Sequence, residues 1–328
     1  MILVTGGGGF IGSHLVNQLV EAGEPVRVLE KPGVDVRHLP LDAIELVRGD
    51  IRRAREVRNA VRDCRQVYHL AANPNLWTRV RSDFDAVNNE GTRNVLHEAL
   101  RAGAERVLHT STESILACTQ SSGQSMEELR LADENMIGPY CLSKLKGEQE
   151  AFRLADSGAP VIVASPTLAI GPGDHNLTPP SRMTLAFCQG KLSAYLDCQL
   201  NMIDARDIAS GLRAAMKVGR PRIRYLLGGA NLRLIEWLTI VGRLVGREVP
   251  RWQVPYPLAL IVAYASEWAA DHITGRMPMA TITGVKLTRH SMHFEAAASR
   301  KHLGLESRPV EESAQDAVAW FRQKGLLK

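Results

Sequence analysis

The feature that most constrains the fold lies at the start of the chain, where "VTGGGGFIGSH" places glycines at positions 6, 9 and 12. The apolar run "MILVT" before them is typical of a strand, and the pattern after them is typical of a helix. In such a unit Gly6 makes the tight turn, Gly9 lets the backbone approach a pyrophosphate, and Gly12 lets helix and strand pack closely. The phosphates would lie at the helix N-terminus, beside Phe10 and Ile11. The sequence therefore predicts a dinucleotide-binding unit, and it excludes a P-loop because no Gly-Lys-Ser/Thr follows.

A carboxylate at the end of the second predicted strand, "VRVLEKPG", indicates which dinucleotide is bound. Glu30 stands where an acidic residue accepts both hydroxyls of the adenosine ribose. It would repel a 2′-phosphate, which favours NAD, whereas the neighbouring Lys31 could reach such a phosphate and keeps NADP open. Asp50 and Ile51, in "GDI" at the end of the third strand, stand where the adenine edge would lie, although an ordinary strand exit explains them equally well.

Apolar, β-branched runs alternate with helical patterns through the N-terminal half of the chain. The runs "PVRVLE", "IELVRGD", "QVYHLAA", "RVLHTST" and "PVIVASP" are apolar over most of their length, as in a parallel sheet covered on both faces. The predicted fold is α/β, a doubly wound parallel Rossmann sheet with a smaller, mainly helical C-terminal substrate lobe. We assign residues 1–170, with 200–229 returning, to the NAD(P)-binding Rossmann domain, and residues 171–199 and 230–328 to the substrate-binding lobe.

Tyr140 and Lys144, in "PYCLSK", are four residues apart and would project from one face of a helix. A tyrosine with its usual pKa of about 10 is a poor base near neutrality, and a nearby ammonium group favours the phenolate. Lys144 would supply that charge and also hold the nicotinamide ribose. The hydroxyl that binds the substrate oxygen is expected in "LHTSTES", at the end of a parallel strand, with Thr112 as first choice and Ser111 as second.

Composition and charge exclude several other classes of protein. The chain of 328 residues carries a net charge of +5, and its arginine-rich segment "VRGDIRRAREVRNAVRDCRQV" has no stacking aromatic residues interleaved, so we predict no nucleic-acid partner. The five cysteines are scattered and never spaced C-x-x-C, which predicts neither disulfides nor a metal site. The fold begins at once and no apolar run approaches about 20 residues, so we expect a cytoplasmic protein without an integral membrane segment.

Several motifs together resemble one family. They are "TGGGGFIG", "HLAA", "NNEGTRNVL", the Ser/Thr-rich strand end and the Tyr140/Lys144 pair. The chain resembles an extended short-chain dehydrogenase/reductase of the NAD-dependent epimerase/dehydratase type over essentially its full length. Within that family it is most similar to the hopanoid-associated sugar epimerase group, which resembles dihydroflavonol reductases and 3β-hydroxysteroid dehydrogenases. Such relatives oxidise a secondary alcohol or reduce a ketone, with the tyrosine moving the proton and the nicotinamide the hydride.

The resemblance implies further contacts and a homodimer. The cofactor would also touch residues near the strand ends, namely Leu70, Ala71, Ala72, Asn88, Thr110 and Pro166. We expect a small-molecule substrate to touch Trp77, Ser111, Ser114, Thr167 and Arg182. Relatives often dimerise through two helices, which here would lie near residues 84–102 and 139–155.

Two departures from the family pattern bear on the substrate. Dehydratases of the family carry Thr-Asp-Glu where this chain has Thr112, Glu113 and Ser114, so we expect no sugar 4,6-dehydration. Nucleotide-sugar enzymes usually carry an arginine ahead of the segment that matches "MIDARD", where this chain has Gln199-Leu200-Asn201. This second departure argues against a nucleotide-sugar substrate.

Three functions are consistent with these patterns. The leading hypothesis is an NAD(P)-dependent oxidoreductase that interconverts a secondary alcohol and a ketone on a fairly apolar or unphosphorylated substrate. An NAD-dependent sugar epimerase and a non-catalytic dinucleotide-binding sensor are the alternatives, and the presence of both Tyr140 and Lys144 counts against the sensor. In the C-terminal lobe, we interpret "WQVPYPLALIVAYASEW" as a helix packed in the core rather than one that faces lipid.

Overall fold

The computed structural model describes residues 1–117, 133–290 and 292–327. The strands, in chain order, are β1 (Ile2–Thr5), β2 (Val26–Glu30), β3 (Ile44–Arg48), β4 (Gln66–His69), β5 (Arg106–Thr110), β6 (Val161–Pro166), β7 (Leu168–Ile170), β8 (Ala194–Tyr195), β9 (Gln199–Asp204), β10 (Arg224–Leu227), β11 (Ala230–Arg233) and β12 (Trp252–Gln253). Seven of them form one sheet in the order β10-β6-β5-β4-β1-β2-β3, and every neighbouring pair in it is parallel.

Helices connect these strands. The α-helices are α1 (Phe10–Glu21), α2 (Ala54–Ala60), α3 (Ser82–Phe84), α4 (Thr92–Arg101), α5 (Glu113–Ala117), α6 (Gly138–Asp156), α7 (Pro179–Cys188), α8 (Ala205–Val218), α9 (Leu234–Val245), α10 (Tyr256–Ala269), α11 (Ile282–Leu287), α12 (Ala297–Leu303) and α13 (Val310–Gln323). Shorter 3₁₀ segments lie at Leu41–Ala43 and Asp133–Asn135, and π-helical segments lie at Asp85–Gly91 and Ala270–Thr274.

The seven-stranded sheet is buried on both faces because successive side chains of a strand point to opposite sides. On β1, Val4 packs with α1 and α8 in one apolar layer, and Leu3 packs with α2, α4 and α6 in the other. Both side chains are fully buried. Near-continuous apolar strands are required by this arrangement, and the predicted doubly wound α/β fold is confirmed.

The order of the strands places the ligand site. From β1 the chain continues through β2 to β3 on one side of β1 and then crosses to β4 on the other side. The strand order therefore reverses between β1 and β4. Open sheets of this kind bind ligands at the carboxyl ends of the strands beside that point. The loops that follow β1, β2, β4, β5 and β6 therefore converge at one edge, and they carry most of the residues singled out from the sequence.

The C-terminal part of the chain is mainly helical, with two small sheets. One of them has the order β11-β9-β7, and the other pairs β12 with β8. Trp237 of α9 is buried between these elements and α7, where its indole N–H donates to Thr184 Oγ1 at 3.1 Å. Two strands come from the segment 200–229, which was predicted to return to the Rossmann domain. β10 is an edge strand of the large sheet, whereas β9 belongs to the three-stranded sheet. The division into domains drawn from the sequence stays a prediction.

The apolar helix predicted from "WQVPYPLALIVAYASEW" is α10, and its packing differs from the prediction. Its inward side is formed by Ala259 and Ala263, while Ile261 and Trp268 are exposed to solvent. Alanine fits the close approach of α10 to α11, so the large apolar side chains turn outward. No helix among the described residues is long and apolar enough to cross a membrane.

Candidate active site

The glycine loop is built on two close backbone contacts. Gly6 has a left-handed φ of +73°, and a Cβ there would lie 2.7 Å from the Cα of Ala71. A Cβ on Gly12 would lie 2.2 Å from the carbonyl oxygen of Gly6, so any other residue would push α1 away from β1. Gly9 caps α1 without a side chain, which leaves the N–H groups of the first turn directed at the loop. This is the geometry that holds a pyrophosphate at a helix N-terminus, beside Phe10 and Ile11.

Glu30 lies at the end of β2, facing this loop. Its Oε2 accepts from the N–H of Gly8 at 2.8 Å, and its Oε1 accepts from the N–H of Lys31 at 3.1 Å. Burial raises the pKa of the Glu30 carboxyl above its usual value, while these two hydrogen bonds oppose the rise. The side chain of Lys31 is exposed. A fixed carboxylate at this place fits the ribose diol of a dinucleotide, so the residues present fit the predicted cofactor.

Asp50 and Ile51, after β3, differ in character. The Asp50 carboxylate is bound by both Nε and Nη2 of Arg52, and this pairing lowers the pKa of Asp50. Ile51 is buried against Gly91, and its carbonyl accepts from the side chain of Asn94 at 2.9 Å. Ile51 is therefore a packing residue at this edge, and Asp50 is a paired one.

The end of β4 is fixed by buried polar groups. His69 bonds to Thr5 Oγ1 at 2.8 Å through Nδ1 and to Thr92 Oγ1 at 3.0 Å through Nε2. Thr5 Oγ1 also accepts from the N–H of Ala71 at 3.3 Å. Burial lowers the pKa of His69 to about 3, so its ring stays neutral. These bonds hold Leu70, Ala71 and Ala72 against the glycine loop.

Asn88 lies in the π-helical segment Asp85–Gly91 and is almost fully buried. Its Oδ1 accepts from the N–H of Asn73 at 2.8 Å, and its Nδ2 donates to Ser143 Oγ at 3.0 Å. Ser143 Oγ in turn donates to the carbonyl of Tyr140 at 2.8 Å. The Asn88 amide therefore joins the loop after β4 to α6, the helix that carries the tyrosine.

Tyr140 and Lys144 project from α6 into the same buried space, as the spacing predicts. Lys144 Nζ donates to the carbonyl of Thr110 at the end of β5, at 2.8 Å. The side chain of Thr112 lies close enough to the Tyr140 hydroxyl to affect its pKa, and the Tyr140 ring meets Phe84 edge to face with centroids 6.2 Å apart. The structure thus brings together the three residues proposed for catalysis.

The electrostatics of this cluster are governed by burial. Burial raises the pKa of Tyr140, the Thr112 side chain opposes the rise, and the charge of Glu113 adds to it. This direction is opposite to the one expected from the pairing with Lys144, because removal of the phenol from water has the largest effect on its pKa. Burial also lowers the pKa of Lys144 to about 8, against the opposing charge of Glu148.

Glu148 belongs to a buried ion pair one helical turn beyond Lys144. Its Oε2 accepts from Arg224 Nε on β10 at 3.2 Å, and its Oε1 accepts from Arg224 Nη2. The guanidinium also lies over the ring of Phe152, 5.3 Å from its centroid. The negative charge next to Lys144 is thus held by a strand from a distant part of the sequence.

Glu113 is a site residue that the sequence reasoning missed. It is buried, its Oε2 accepts from Thr112 Oγ1 at 3.0 Å, and burial raises its pKa to about 7. Thr112 Oγ1 also lies 3.3 Å from Ser114 Oγ. The signal was a carboxyl residue between two hydroxyl residues at a strand end, but only the fold shows that it turns inward toward Tyr140.

The residues expected to touch substrate lie on several elements. Ser111 follows β5, and its Oγ is buried with no hydrogen-bond partner among the described residues, as is Oγ1 of Thr110, which was predicted to touch the cofactor. Thr167 follows Pro166 at the end of β6, and its hydroxyl donates to the carbonyl of Leu227 at 3.3 Å. Arg182 lies on α7, a different element from the strand end that carries Ser111. It makes no ion pair within the described ranges.

Trp77 lies in the loop that follows β4 and is buried. Its indole N–H donates to Asp271 Oδ1 at 3.1 Å, in the segment after α10. Arg81, on the same loop, pairs with Glu267 at 3.2 Å and with Asp271 at 3.1 Å. The loop beside the expected nicotinamide position is therefore fastened to the C-terminal part of the chain.

Comparison with known proteins gives the same family as the motifs. The model of the NAD dependent epimerase/dehydratase family matches residues 2–228. A Synechocystis sp. protein provisionally named dihydroflavonol 4-reductase is 32% identical over 99% of this chain and 95% of its own length. Sterol demethylase protein B of Methylococcus capsulatus is 29% identical over 99% of each chain. The crystal structure of gox2253 is 31% identical and has a TM-score of 0.86 over 100% of this chain and 99% of its own.

The family match confirms the predicted family, the enzyme class and NAD as the cofactor. The glycine loop, the carboxylate after β2 and the convergence of strand ends all lie within the matched range and fit a dinucleotide. The chain belongs to the NAD dependent epimerase/dehydratase family and is an NAD-dependent oxidoreductase of the extended short-chain dehydrogenase/reductase type.

Proposed function

We propose that the protein interconverts a secondary alcohol and a ketone, with Tyr140 as the acid and base. The observation that carries this proposal is the buried cluster in which Tyr140, Lys144 and Thr112 lie together, with Lys144 one helical turn from Tyr140. A phenol and a hydroxyl held side by side can both bond to one substrate oxygen. The position of this cluster, after β5 at the reversal of the strand order, supports contact with the nicotinamide.

Each side chain has a defined task in this mechanism. When substrate binds, Thr112 Oγ1 turns its one hydrogen from Glu113 Oε2 to the substrate oxygen and fixes the position of that oxygen. Tyr140 donates its phenolic proton to that oxygen during ketone reduction and accepts it back during alcohol oxidation. The raised pKa of Tyr140 keeps the phenol protonated near neutrality, which favours its role as the acid. Lys144, held by the carbonyl of Thr110, places a positive charge beside the phenolate that forms. Bound NAD supplies or accepts the hydride.

Tyr140→Phe tests the role of the phenol. The variant keeps the aromatic packing but loses the transferable proton, so turnover should fall by about 10²- to 10⁴-fold while NAD affinity changes little. Lys144→Ala should impair both turnover and NAD binding, because it loses a charge and a ribose contact. Reduced nicotinamide formation and NAD titration measure the two effects, with Tyr195→Phe on β8 as the control. Wild-type turnover in Tyr140→Phe would contradict the assignment.

We further propose that Glu113 acts through Tyr140 as a positioning residue. When ionised, its carboxylate accepts from Thr112 and opposes formation of the phenolate. Because burial raises its pKa to about 7, its charge changes within the working range of the enzyme. The direction of catalysis that needs a proton acceptor, alcohol oxidation, is therefore restrained as Glu113 ionises.

Glu113→Gln should move the rising limb of the pH profile for alcohol oxidation to lower pH, because the opposing charge is gone. It should also change the pH dependence of stability. A carboxyl with a raised folded-state pKa stabilises the fold fully at low pH and loses this contribution as pH rises through that pKa. In urea unfolding, the free energy of unfolding of the variant should therefore rise relative to that of the wild type between about pH 5 and about pH 8. Two superimposable pH profiles would exclude the role.

We propose that the protein prefers NAD over NADP, on account of Glu30. Its fixed carboxylate gains charge-assisted hydrogen bonds from a ribose diol and repels a 2′-phosphate. The exposed Lys31 has freedom to turn toward solvent, so it competes weakly with this repulsion.

Glu30→Ala should weaken NAD binding by about tenfold or more and narrow the difference between NAD and NADP, because a hydrogen bond to a charged group is lost. Calorimetric titration with both dinucleotides measures the change, and Glu24→Ala at an exposed site is the matched control. Tighter binding of NADP than of NAD by the wild type would show that Lys31 and nearby arginines dominate.

We propose an apolar or unphosphorylated substrate. Asn201 stands in the segment where nucleotide-sugar relatives carry an arginine, and its amide is fully used inside the protein. Its Oδ1 accepts from the N–H of Gly229 at 2.9 Å, and its Nδ2 donates to Asn231 Oδ1 at 2.7 Å. The negative charge of a diphosphate enclosed there would have no cation to offset the cost of removing it from water. The names of the two curated relatives, a dihydroflavonol reductase and a sterol demethylase protein, point to polycyclic apolar compounds.

Titration of the NAD-loaded protein separates the two substrate classes. We expect binding of steroid-, terpenoid- or flavonoid-like ketones and alcohols, and none of UDP-sugars. Micromolar binding of a UDP-sugar that is lost in Arg182→Ala would support the epimerase alternative instead, because Arg182 would then supply the missing cation. Arg213→Ala, at a half-buried position on α8, serves as the control for a general loss of charge.

A homodimer also stays a prediction. The π-helical segment Asp85–Gly91 packs against α6, and α4 continues from it, so these helices form one connected layer. We propose this layer as the dimer contact.

The cytoplasmic location expected from the sequence also stays a prediction.

A further inference from the structure

The large apolar side chains of helix α10 face solvent, whereas those of a core helix face the protein interior. Its buried side carries the small residues Ala259 and Ala263. Its opposite side carries Ile261, Tyr264 and Trp268, which are 64%, 51% and 58% exposed. These three positions recur every three or four residues and therefore lie on one face of the helix. The helix thus presents its largest apolar groups to the surroundings.

The exposed face continues beyond the helix. Ile273 is 70% exposed and Met279 is 85% exposed. We call the following set the α10 surface: Leu258, Ile261, Tyr264, Trp268, Ile273, Met277 and Met279. Among the described residues, these seven are most of the exposed large apolar side chains of the protein. A cluster of this kind, unlike scattered exposed residues, marks an interaction site.

Basic residues border the α10 surface. Arg276 and Lys286 are exposed and form no ion pair within the described part of the chain. Arg79 lies beside Gly275, with Nη1 3.5 Å from the position of a Cβ there. Arg289 covers the ring of Tyr256 at the start of α10, 4.7 Å from its centroid. Arg79 and Arg276 therefore lie beside the end of the α10 surface, and Lys286 and Arg289 lie on or after the neighbouring helix α11.

The nearby carboxylates do not neutralise this border. Between residues 249 and 290 the acidic side chains are Glu267 and Asp271. Glu267 is buried, where its Oε1 accepts from the N–H of Ile282 at 2.6 Å, and both carboxylates pair with Arg81. Their charges are directed at the active-site loop rather than at the outer face.

We propose that the α10 surface binds the surface of an anionic lipid bilayer, with α10 lying in the plane of the interface. Apolar side chains on one face, tryptophan and tyrosine among them, and a cationic border are the pattern of helices that lie on membranes. The charge of the border complements anionic headgroups. A second copy of the chain is disfavoured as the occupant, because a symmetric contact would bring the two cationic borders together.

The proposed membrane contact is joined directly to the active site. Asp271, in the segment after α10, bonds to Trp77 and Arg81 of the loop that follows β4. A molecule dissolved in the bilayer would therefore reach the protein at an element that borders the site. This inference goes beyond the proposed reaction, and its test below uses no turnover, so either can fail without the other.

Vesicle sedimentation with the full chain tests the proposal. We expect strong binding to vesicles of equimolar phosphatidylcholine and phosphatidylglycerol, weak binding to phosphatidylcholine alone, and a decrease with added salt. Trp268 provides a second readout, because its fluorescence should shift to the blue on binding and the shift should be smaller in Trp268→Phe. Equal binding to neutral vesicles, or none to anionic ones, would overturn the proposal.

Matched variants separate this surface from the rest of the protein. Ile261→Gln with Trp268→Gln should lower the vesicle partition coefficient at least about tenfold, and Arg276→Gln with Lys286→Gln should lower it by about fivefold per residue. Leu41→Gln with Val218→Gln removes exposed apolar groups elsewhere and should change nothing. Because all these side chains are exposed, melting temperatures should stay close to that of the wild type. If Ile261→Gln with Trp268→Gln instead abolishes a dimer in sedimentation velocity and leaves vesicle binding intact, the occupant is a second copy.

Discussion

The contact between β1 and α1 is the constraint on which the rest of the site depends. The helix approaches the strand so closely that a single methyl group on Gly12 would collide with the carbonyl of Gly6. This approach directs the free N–H groups of α1 at the reversal point of the sheet, and it brings Gly8 within reach of Glu30. The place available for a dinucleotide follows from it, because the loop after β4 packs against the same turn.

Burial sets the chemistry of the catalytic cluster more than pairing does. A lysine one helical turn away favours the phenolate of a tyrosine when both are near water, but here both side chains are enclosed. The phenol of Tyr140 is therefore kept protonated, and the pKa of the Lys144 ammonium is lowered to about 8. Glu113 then becomes the group in the cluster whose charge changes most readily around neutral pH.

Local patterns predicted those parts of the molecule that depend on local geometry. Gly6, Gly12 and the four-residue spacing of Tyr140 and Lys144 are of this kind, since turns and helix faces follow from nearby residues. Glu113 escaped prediction because its direction is set by how α5 leaves β5. The exposure of α10 escaped too, since an apolar segment predicts burial and only packing partners decide which side is covered.

The ion pair of Glu148 and Arg224 has a consequence for how the enzyme is made. It joins residues 76 positions apart, so the charge beside Lys144 is fixed only when β10 has added to the edge of the sheet. Glu148 lacks its guanidinium partner until β10, the last strand of the large sheet in chain order, is in place beside β6. Completion of that edge of the sheet and the electrostatic setting of Lys144 are therefore a single event.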